Sequence, residues 1–288
     1  FNHFKDMTRW LPWALGKDPN AEDMPLWIVP DKKVDLAKME ACMRDHYEGT
    51  PLSLDQDIAQ GIWNSPYRPT PLKFEVDGKQ CFNERPISTQ QTGFSYIAQL
   101  RSWLPREIGG ILWFGNDDGN MVAYVPIYCS NTERAECFNT PSADAVTFSD
   151  KSAFWVCNWV SNMVYPRYSQ LFPALKEVRD SLDNSYFAAQ KGVEEKAQAL
   201  YATDKAAAVK YLNDYSVQKS DEMIARWREL AIYLIVKFND MTIKPEKDGK
   251  FLRTSTGLGE RVKRPGYSDY FKRELIKQSG DKFVMPNQ

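Results

Sequence analysis

Residues 84–115 read ERPISTQQTGFSYIAQLRSWLPREIGGILWFG. The second half contains Gly109-Gly110 and then a short apolar run, Ile111–Phe114, which is typical of a buried strand. The first half holds five consecutive uncharged polar residues, Ser88–Thr92, inside a strand-like pattern. Hydroxyl and amide groups beside a buried sheet need hydrogen-bond partners. We therefore predict a strand over 88–100 whose polar groups either lie on a solvated edge or bind a peptide backbone.

The neighbouring sequence predicts an antiparallel sheet. Asp77-Gly78 separates two short strand-like runs, which is a strong hairpin signal. The polar stretch Asn116–Asn120 predicts a plain turn, followed by another strand over Met121–Val125. Connections this short join antiparallel strands, because parallel neighbours need a crossover of a dozen residues or more.

Helical periodicity dominates elsewhere. A helix is predicted over Asp31–Tyr47, ended by Gly49, and the chain becomes mainly helical after residue 150. Two long antiparallel helices are expected there, followed by a short one over Tyr267–Lys277. The predicted fold class is α+β. Residues 1–150 carry the sheet, and the helical region 151–288 packs on it as part of the same structural unit.

Composition excludes several classes of function. Hydrophobic residues make up 43% of the 288 positions, which is ample for a globular core. The 37 Lys and Arg residues nearly balance the 38 Asp and Glu residues, so the net charge is -1 and nucleic-acid binding is not expected. No apolar run approaches the roughly 20 residues of a membrane span. Both a cytoplasmic and an exported location are compatible with the sequence.

The sequence predicts no metal site and no cofactor. The five cysteines are widely spaced and form no Cys-x-x-Cys pair, and the only histidines are His3 and His46. These are few ligands for a transition metal. The chain also lacks a glycine-rich phosphate loop, a His-Glu-x-x-His motif and a Gly-x-Ser-x-Gly motif.

Seven polar or charged residues are candidate contacts for a small peptide. A guanidinium clamps a carboxylate with two hydrogen bonds, and a carboxylate holds an ammonium group. Each candidate also has an ordinary structural role: an edge-strand polar face, a surface ion pair or a charge at a helix end. Because strand side chains alternate, either Ser88 with Gln90 or Thr89 with Gln91 would face the ligand. The charged candidates are Arg85, Arg101 and Glu48.

Several sequence segments resemble those of the dipeptidase family of cysteine-dependent N-terminal nucleophile (Ntn) hydrolases. They are Arg44–Thr50, Asn83–Arg85, Ser88–Gly93, Arg101–Trp103 and Ile108–Gly115, in that order. The similarity extends from about residue 31 to about residue 154 and more loosely to 263–277.

The resemblance implies an αββα sandwich, in which two antiparallel sheets pack face to face between helical layers. It implies a cysteine at the mature N-terminus as nucleophile, dipeptide substrates and no cofactor. Residue 1 here is Phe. We therefore expect this chain to be the C-terminal portion of such an enzyme, without catalytic residues of its own and inactive alone.

Its expected partners are a dipeptide substrate and the missing N-terminal segment of the same protein, and assembly into a homo-oligomer stays open. Two alternatives remain open at this point. One is an amidase of the same superfamily that acts on acyl amides. The other is a non-catalytic module that binds peptides or glycans, since 13% of the residues are aromatic.

Overall fold

The computed structural model describes residues 7–16, 18–139 and 143–285, so His3 lies outside the described residues. A single turn of helix, α1 (Leu11–Ala14), precedes α2 (Leu36–Met43). Helix α2 is shorter than predicted because Asp35 caps it, accepting a hydrogen bond from the Lys38 amide at 2.8 Å. Gly49, with φ of 73°, belongs to a later turn and does not end the helix.

In the described ranges the strands form three separate antiparallel sheets. β1 (Lys73–Val76) and β2 (Lys79–Phe82) make the predicted hairpin, in which Asp77 and Gly78 both have positive φ, as a tight hairpin turn requires. The central sheet has the order β3-β4-β5. These strands are β3 (Phe94–Leu100), β4 (Gly110–Asn116) and β5 (Val125–Tyr128). A one-turn helix, α3 (Arg106–Gly109), joins the first two of them.

Two strand predictions were wrong in their bounds. Ser88–Thr92 is not part of β3 but forms a turn before it, closed by a 3.0 Å hydrogen bond from the Thr92 amide to the Thr89 carbonyl. Residues 121–124 are not a strand either. Asp118 caps a 3₁₀ turn over Gly119–Met121, and this turn delays the start of β5 to Val125.

The helical half matches its prediction closely. Helix α4 (Ala153–Val164) is followed by α5 (Tyr168–Tyr201) and α6 (Lys205–Phe238), two long antiparallel helices of 34 residues each. The Asp204 carboxylate caps α6. A small hairpin of β6 (Glu246–Lys247) and β7 (Lys250–Phe251) comes before α7 (Asp269–Ser279). No helix in the described ranges is long and apolar enough to cross a bilayer.

The long helices cover one face of the central sheet. Trp113 of β4 is fully buried there and meets Phe187 of α5 edge to face, with ring centroids 5.3 Å apart. The Tyr128 amide of β5 donates to Ser216 Oγ of α6 at 3.2 Å. We call this the covered face. The other face carries Phe94, Tyr96 and Leu100, whose exposed fractions are 58%, 52% and 76%. We call it the open face.

The fold is α+β, as the sequence predicts. The central sheet and the helices on its covered face form one β layer and one α layer.

Candidate functional site

The loop that leaves β4 is the centre of a buried polar network. This acidic loop, Asn116–Asn120, was predicted as a plain turn, but Asp117 and Asp118 are 2% and 0% exposed. Asp118 accepts hydrogen bonds from the Ser88 hydroxyl and the Tyr67 hydroxyl. Its Oδ1 also accepts from the Asn120 amide at 3.2 Å. The prediction of a plain turn was therefore incomplete.

The polar turn, Ser88–Thr92, is anchored by this loop. Ser88 is buried, and its Oγ also accepts from the Asn120 amide at 3.1 Å. Gln90 donates its side-chain amide to the Arg68 carbonyl. Thr89 donates to the Gln91 side chain, which is exposed. Because the segment is a turn, strand alternation does not decide which side chains face outward. Ser88 and Gln90 hold the turn in place, whereas Thr89 and Gln91 lie nearer its surface.

His46 and Glu48 form a second part of the site. The His46 ring is fully buried, and its Nδ1 lies 3.1 Å from Glu48 Oε1. The His46 amide donates to the other oxygen of Glu48 at 2.9 Å. Partial burial raises the pKa of Glu48, but the hydrogen bonds from His46 outweigh it and hold the pKa below its ordinary value. Glu48 is thus an exposed carboxylate that stays ionised.

Three tyrosines surround His46 and Asp118. Tyr67 meets the His46 ring edge to face at 4.9 Å between centroids and lies 4.4 Å from Tyr165. Tyr168 accepts a hydrogen bond from the Asn120 side-chain amide at 3.1 Å. Burial raises the pKa of all three phenols. For Tyr67 the nearby Asp118 charge raises the pKa further. They remain neutral donors at ordinary pH.

Two arginines hold the far side of the acidic loop. Arg44, at the end of α2, donates to the Gly119 and Val122 carbonyls, both at 3.0 Å, and to Asp183 at 2.8 Å. Arg179 of α5 donates to the Asn120 carbonyl at 2.7 Å. Guanidinium groups that satisfy buried carbonyls and a carboxylate at once make the loop geometry well determined.

Two carboxyl groups beside this network are hard to ionise. Burial is the main cause that raises the pKa of Glu40 to about 8, and the nearby Asp183 adds to it. Burial likewise raises the pKa of Asp117 to about 7, although the Ser161 hydroxyl donates to Asp117 Oδ2 at 2.6 Å. Both groups titrate near neutral pH in the folded protein.

The predicted arginine contacts lie apart from each other. Arg85 is exposed, and its carbonyl accepts from the Tyr47 hydroxyl at 3.3 Å, which places it close to the His46–Glu48 pair. Arg101 directly follows the far end of β3. It lies seven residues beyond Phe94, so in an extended strand the two residues are on the order of 20 Å apart. It is paired with Glu194 and donates to the Gly109 and Ile108 carbonyls. The structure therefore brings Glu48, Arg85 and the polar turn together, and Arg101 stands elsewhere.

The cysteines show no arrangement for catalysis within the described residues. Burial raises the pKa of Cys137 to about 12 and that of Cys157 well above its ordinary value. All five thiols are free. In the described ranges no group of three or more His, Cys, Asp or Glu side chains is arranged to hold a metal ion.

Sequence reasoning missed Asp118 and Tyr67, the two residues that organise the site. The available signal was an acidic pair directly after a buried apolar strand, where an ionisable group needs buried partners. Tyr67 had no signal, because it lies in the long loop before β1 and 51 positions from its partner.

Comparison with known proteins places the chain among peptidases. The sequence model of peptidase family C69 matches residues 3–181. The probable dipeptidase B of Streptococcus pyogenes serotype M1 is 22% identical over 222 residues, covering 76% of this chain and 41% of that protein. A probable dipeptidase of Salmonella dublin is 28% identical over 107 residues, covering 37% of this chain and 20% of that protein. The chain thus spans less than half the length of these relatives.

Proposed function

The chain belongs to peptidase family C69, and on that premise we propose that the intact protein hydrolyses dipeptides through a cysteine nucleophile that lies outside residues 1–288. The two relatives are named as probable dipeptidases, and this chain covers 41% and 20% of their lengths. A nucleophile in the remaining part would agree with the environments of the two buried cysteines in this chain. A thiol must ionise to attack a carbonyl, and the raised pKa of Cys137 and Cys157 opposes ionisation.

The observation that carries the proposal is the polar turn anchored on Asp118. A buried carboxylate holds Ser88, and this contact fixes a segment that presents Thr89 and Gln91 toward the surface. Hydroxyl and amide groups both donate and accept hydrogen bonds, as binding of a peptide backbone requires. A site held by a buried network keeps its geometry without the ligand, and this lowers the entropic cost of binding.

Charged groups beside the turn suit the two ends of a dipeptide. We assign the substrate ammonium to Glu48, whose pKa is held low by His46. Arg85, exposed near Tyr47, is our candidate for the substrate carboxylate. Arg101 is a weaker candidate, because Glu194 and two carbonyls already occupy its guanidinium.

The open face supports a larger protein around this chain. Phe94, Tyr96 and Leu100 leave more than half of their surfaces exposed. A second antiparallel sheet packed about 10 Å away would bury them, as in the sandwich that the sequence resemblance implies. We propose that the rest of the protein supplies this sheet together with the nucleophile.

The test is an assay of the intact protein. We expect hydrolysis of several dipeptides, its loss after alkylation of thiols, and an N-terminal cysteine in the mature protein as read by N-terminal sequencing. Hydrolysis of acyl amides but not dipeptides would favour the amidase. Binding of peptides without hydrolysis would favour the non-catalytic module and contradict the proposal.

A further inference from the structure

An aromatic cavity of about 380 Å³ lies on the open face, beside the end of β4. Phe114 points into it from the sheet, and Phe138 meets that ring edge to face with centroids 5.2 Å apart. Phe154 and Trp155 of α4 complete the aromatic wall, in edge-to-face contact with each other at 5.2 Å. A cavity of this size is at the lower end of small-molecule sites, which occupy roughly 300–1,000 Å³.

The wall is tied together by hydrogen bonds as well as ring contacts. Trp155 Nε1 donates to the Asp144 carbonyl at 2.9 Å, which joins the loop before α4 to the helix. The Asp144 side chain accepts from the Val146 amide at 2.8 Å. The cavity is therefore formed by groups that hold one another in place.

The charge at the cavity selects for a cation. Among the described residues that line it, Asp144 is the one charged residue and none is a Lys or Arg. Hydrogen bonds from the Val146 amide and from Thr147 hold the pKa of Asp144 below its ordinary value, so the carboxylate is ionised. Aromatic rings also attract cations through their faces. An amine is favoured here and a carboxylate is not.

The cavity lies beside the polar turn. Asn116 lines it and is the register partner of Phe94 in the sheet. The Asp117 amide donates to the Gly93 carbonyl at 2.9 Å, and Gly93 directly follows the turn. A ligand whose backbone contacts Thr89 or Gln91 therefore has this cavity close by for a side chain.

We propose that the cavity is the subsite for a large apolar or aromatic side chain on the substrate residue that carries the free ammonium group. The proposal rests on the proposed dipeptidase function and adds a preference to it. Apolar rings bury the side chain, and Asp144 at the rim attracts the adjacent amine. Glu48 remains the proposed partner of the ammonium group, and the Asp144 charge at the rim adds to the attraction of a cationic substrate.

The test compares two substrates, Phe-Ala and Gly-Ala, on the intact protein. Ala145 is an exposed residue of the lining, so A145W fills the cavity without altering the core. We expect kcat/KM for Phe-Ala to fall at least tenfold relative to Gly-Ala, because lost apolar contacts of this size change specificity by roughly 10–200-fold. D144N should lower kcat/KM about threefold or more for Phe-Ala. The matched controls are A199W and E177Q on the exposed surface of α5. Neither should change kcat/KM for Phe-Ala or its ratio to kcat/KM for Gly-Ala.

A second measurement separates this proposal from the dipeptidase function. Phenethylamine carries the ring and the amine but no peptide bond, and we expect calorimetry to show that the intact protein binds it and that A145W weakens this binding tenfold. Binding without hydrolysis of any dipeptide would refute the function and keep the subsite. Equal losses for both substrates in A145W would overturn the subsite. So would destabilisation of A145W with an unchanged ratio, because it would mean that the rest of the protein fills the cavity.

Discussion

The two faces of the central sheet are made by the same strands but are covered differently. On the covered face Ile97, Ile111 and Trp113 are 7%, 0% and 0% exposed. On the open face Phe94, Tyr96 and Leu100 are 58%, 52% and 76% exposed. In a sheet with one solvated side, polar residues are expected on that side. In β3 the exposed positions are Phe94, Tyr96, Ala98 and Leu100, whereas the polar residues Ser95 and Gln99 lie on the covered face. This sheet is therefore suited to be an inner layer with apolar neighbours on both sides.

The carboxyl groups beside the two faces differ in the same way. Behind the covered face, burial raises the pKa of Glu40 to about 8 and that of Asp117 to about 7. Beside the open face, hydrogen bonds from the Val146 amide and from Thr147 lower the pKa of the exposed Asp144 carboxyl. Glu40 and Asp117 therefore titrate near neutral pH, whereas Asp144 titrates at lower pH.

Removal of the largest side chain of the covered face should have the largest effect on stability. Trp113→Ala empties a fully buried site in contact with Phe187. We expect the free energy of unfolding to fall by about 3–5 kcal/mol, as for large-to-small changes in other cores. Denaturant unfolding checks this value. A loss below about 1 kcal/mol would show that the two faces do not differ in packing as described.

A carboxylate of the buried acidic loop should contribute more to stability than one beside the open face. Asp118→Ala removes the acceptor of the Ser88 and Tyr67 hydroxyls, both of them buried. Since each buried unsatisfied group costs about 1–3 kcal/mol, we expect a loss of about 3 kcal/mol. Asp144→Ala at the open face is the matched control and should change stability by less than about 0.5 kcal/mol. Similar losses in the two variants would contradict the central position of Asp118.

Much of the covered face could be predicted from the sequence, and the site could be predicted only in part. The run Ile111–Phe114 indicates a buried strand by composition alone, and the apolar stripes of α5 and α6 indicate their covered sides. The polar turn was identified as a segment but was assigned to a strand, because Thr, Phe and Tyr favour extended backbone.

The partners of the polar turn could not be predicted, for a physical reason. The Ser88–Asp118 bond joins residues 30 positions apart, and the Tyr67–Asp118 bond joins residues 51 positions apart. Only the tertiary structure brings such groups together, and periodicity carries no information about it. The same limit applies to the cavity, whose aromatic wall comes from β4, the loop after β5 and α4.

Stability should fall with rising pH because of the buried Glu40. The folded-state pKa of Glu40 is raised from 4.5 to about 8, so the folded protein holds a proton that the unfolded chain releases within this window. Stability is greatest below pH 4.5 as far as this group is concerned, and it is lost as pH rises through about 8. The slope approaches about 1.4 kcal/mol per pH unit in between.

Glu40→Gln should remove this dependence of the unfolding free energy on pH and leave the smaller contribution of Asp117. Denaturant unfolding at pH 6 and at pH 7 measures the remaining slope. Glu177→Gln on exposed α5 is the control and should leave the slope unchanged. A Glu40→Gln variant with the full slope would place the pH dependence elsewhere.

The smallest effect is expected on the open face of the 288-residue chain, and this effect should depend on what covers it. Tyr96→Ala removes a side chain that is 52% exposed and lies opposite Phe114 in the register. In the isolated chain only a cross-strand contact is lost, which is worth less than about 1 kcal/mol. If a second sheet packs on this face in the intact protein, the same change should cost about 3 kcal/mol or more there. Ile232→Ala on α6, 60% exposed and away from the sheet, should cost little in both forms. Equal small losses for Tyr96→Ala in the two forms would mean that the rest of the protein leaves the open face uncovered. The two faces would then differ in the intact protein as they do in this chain.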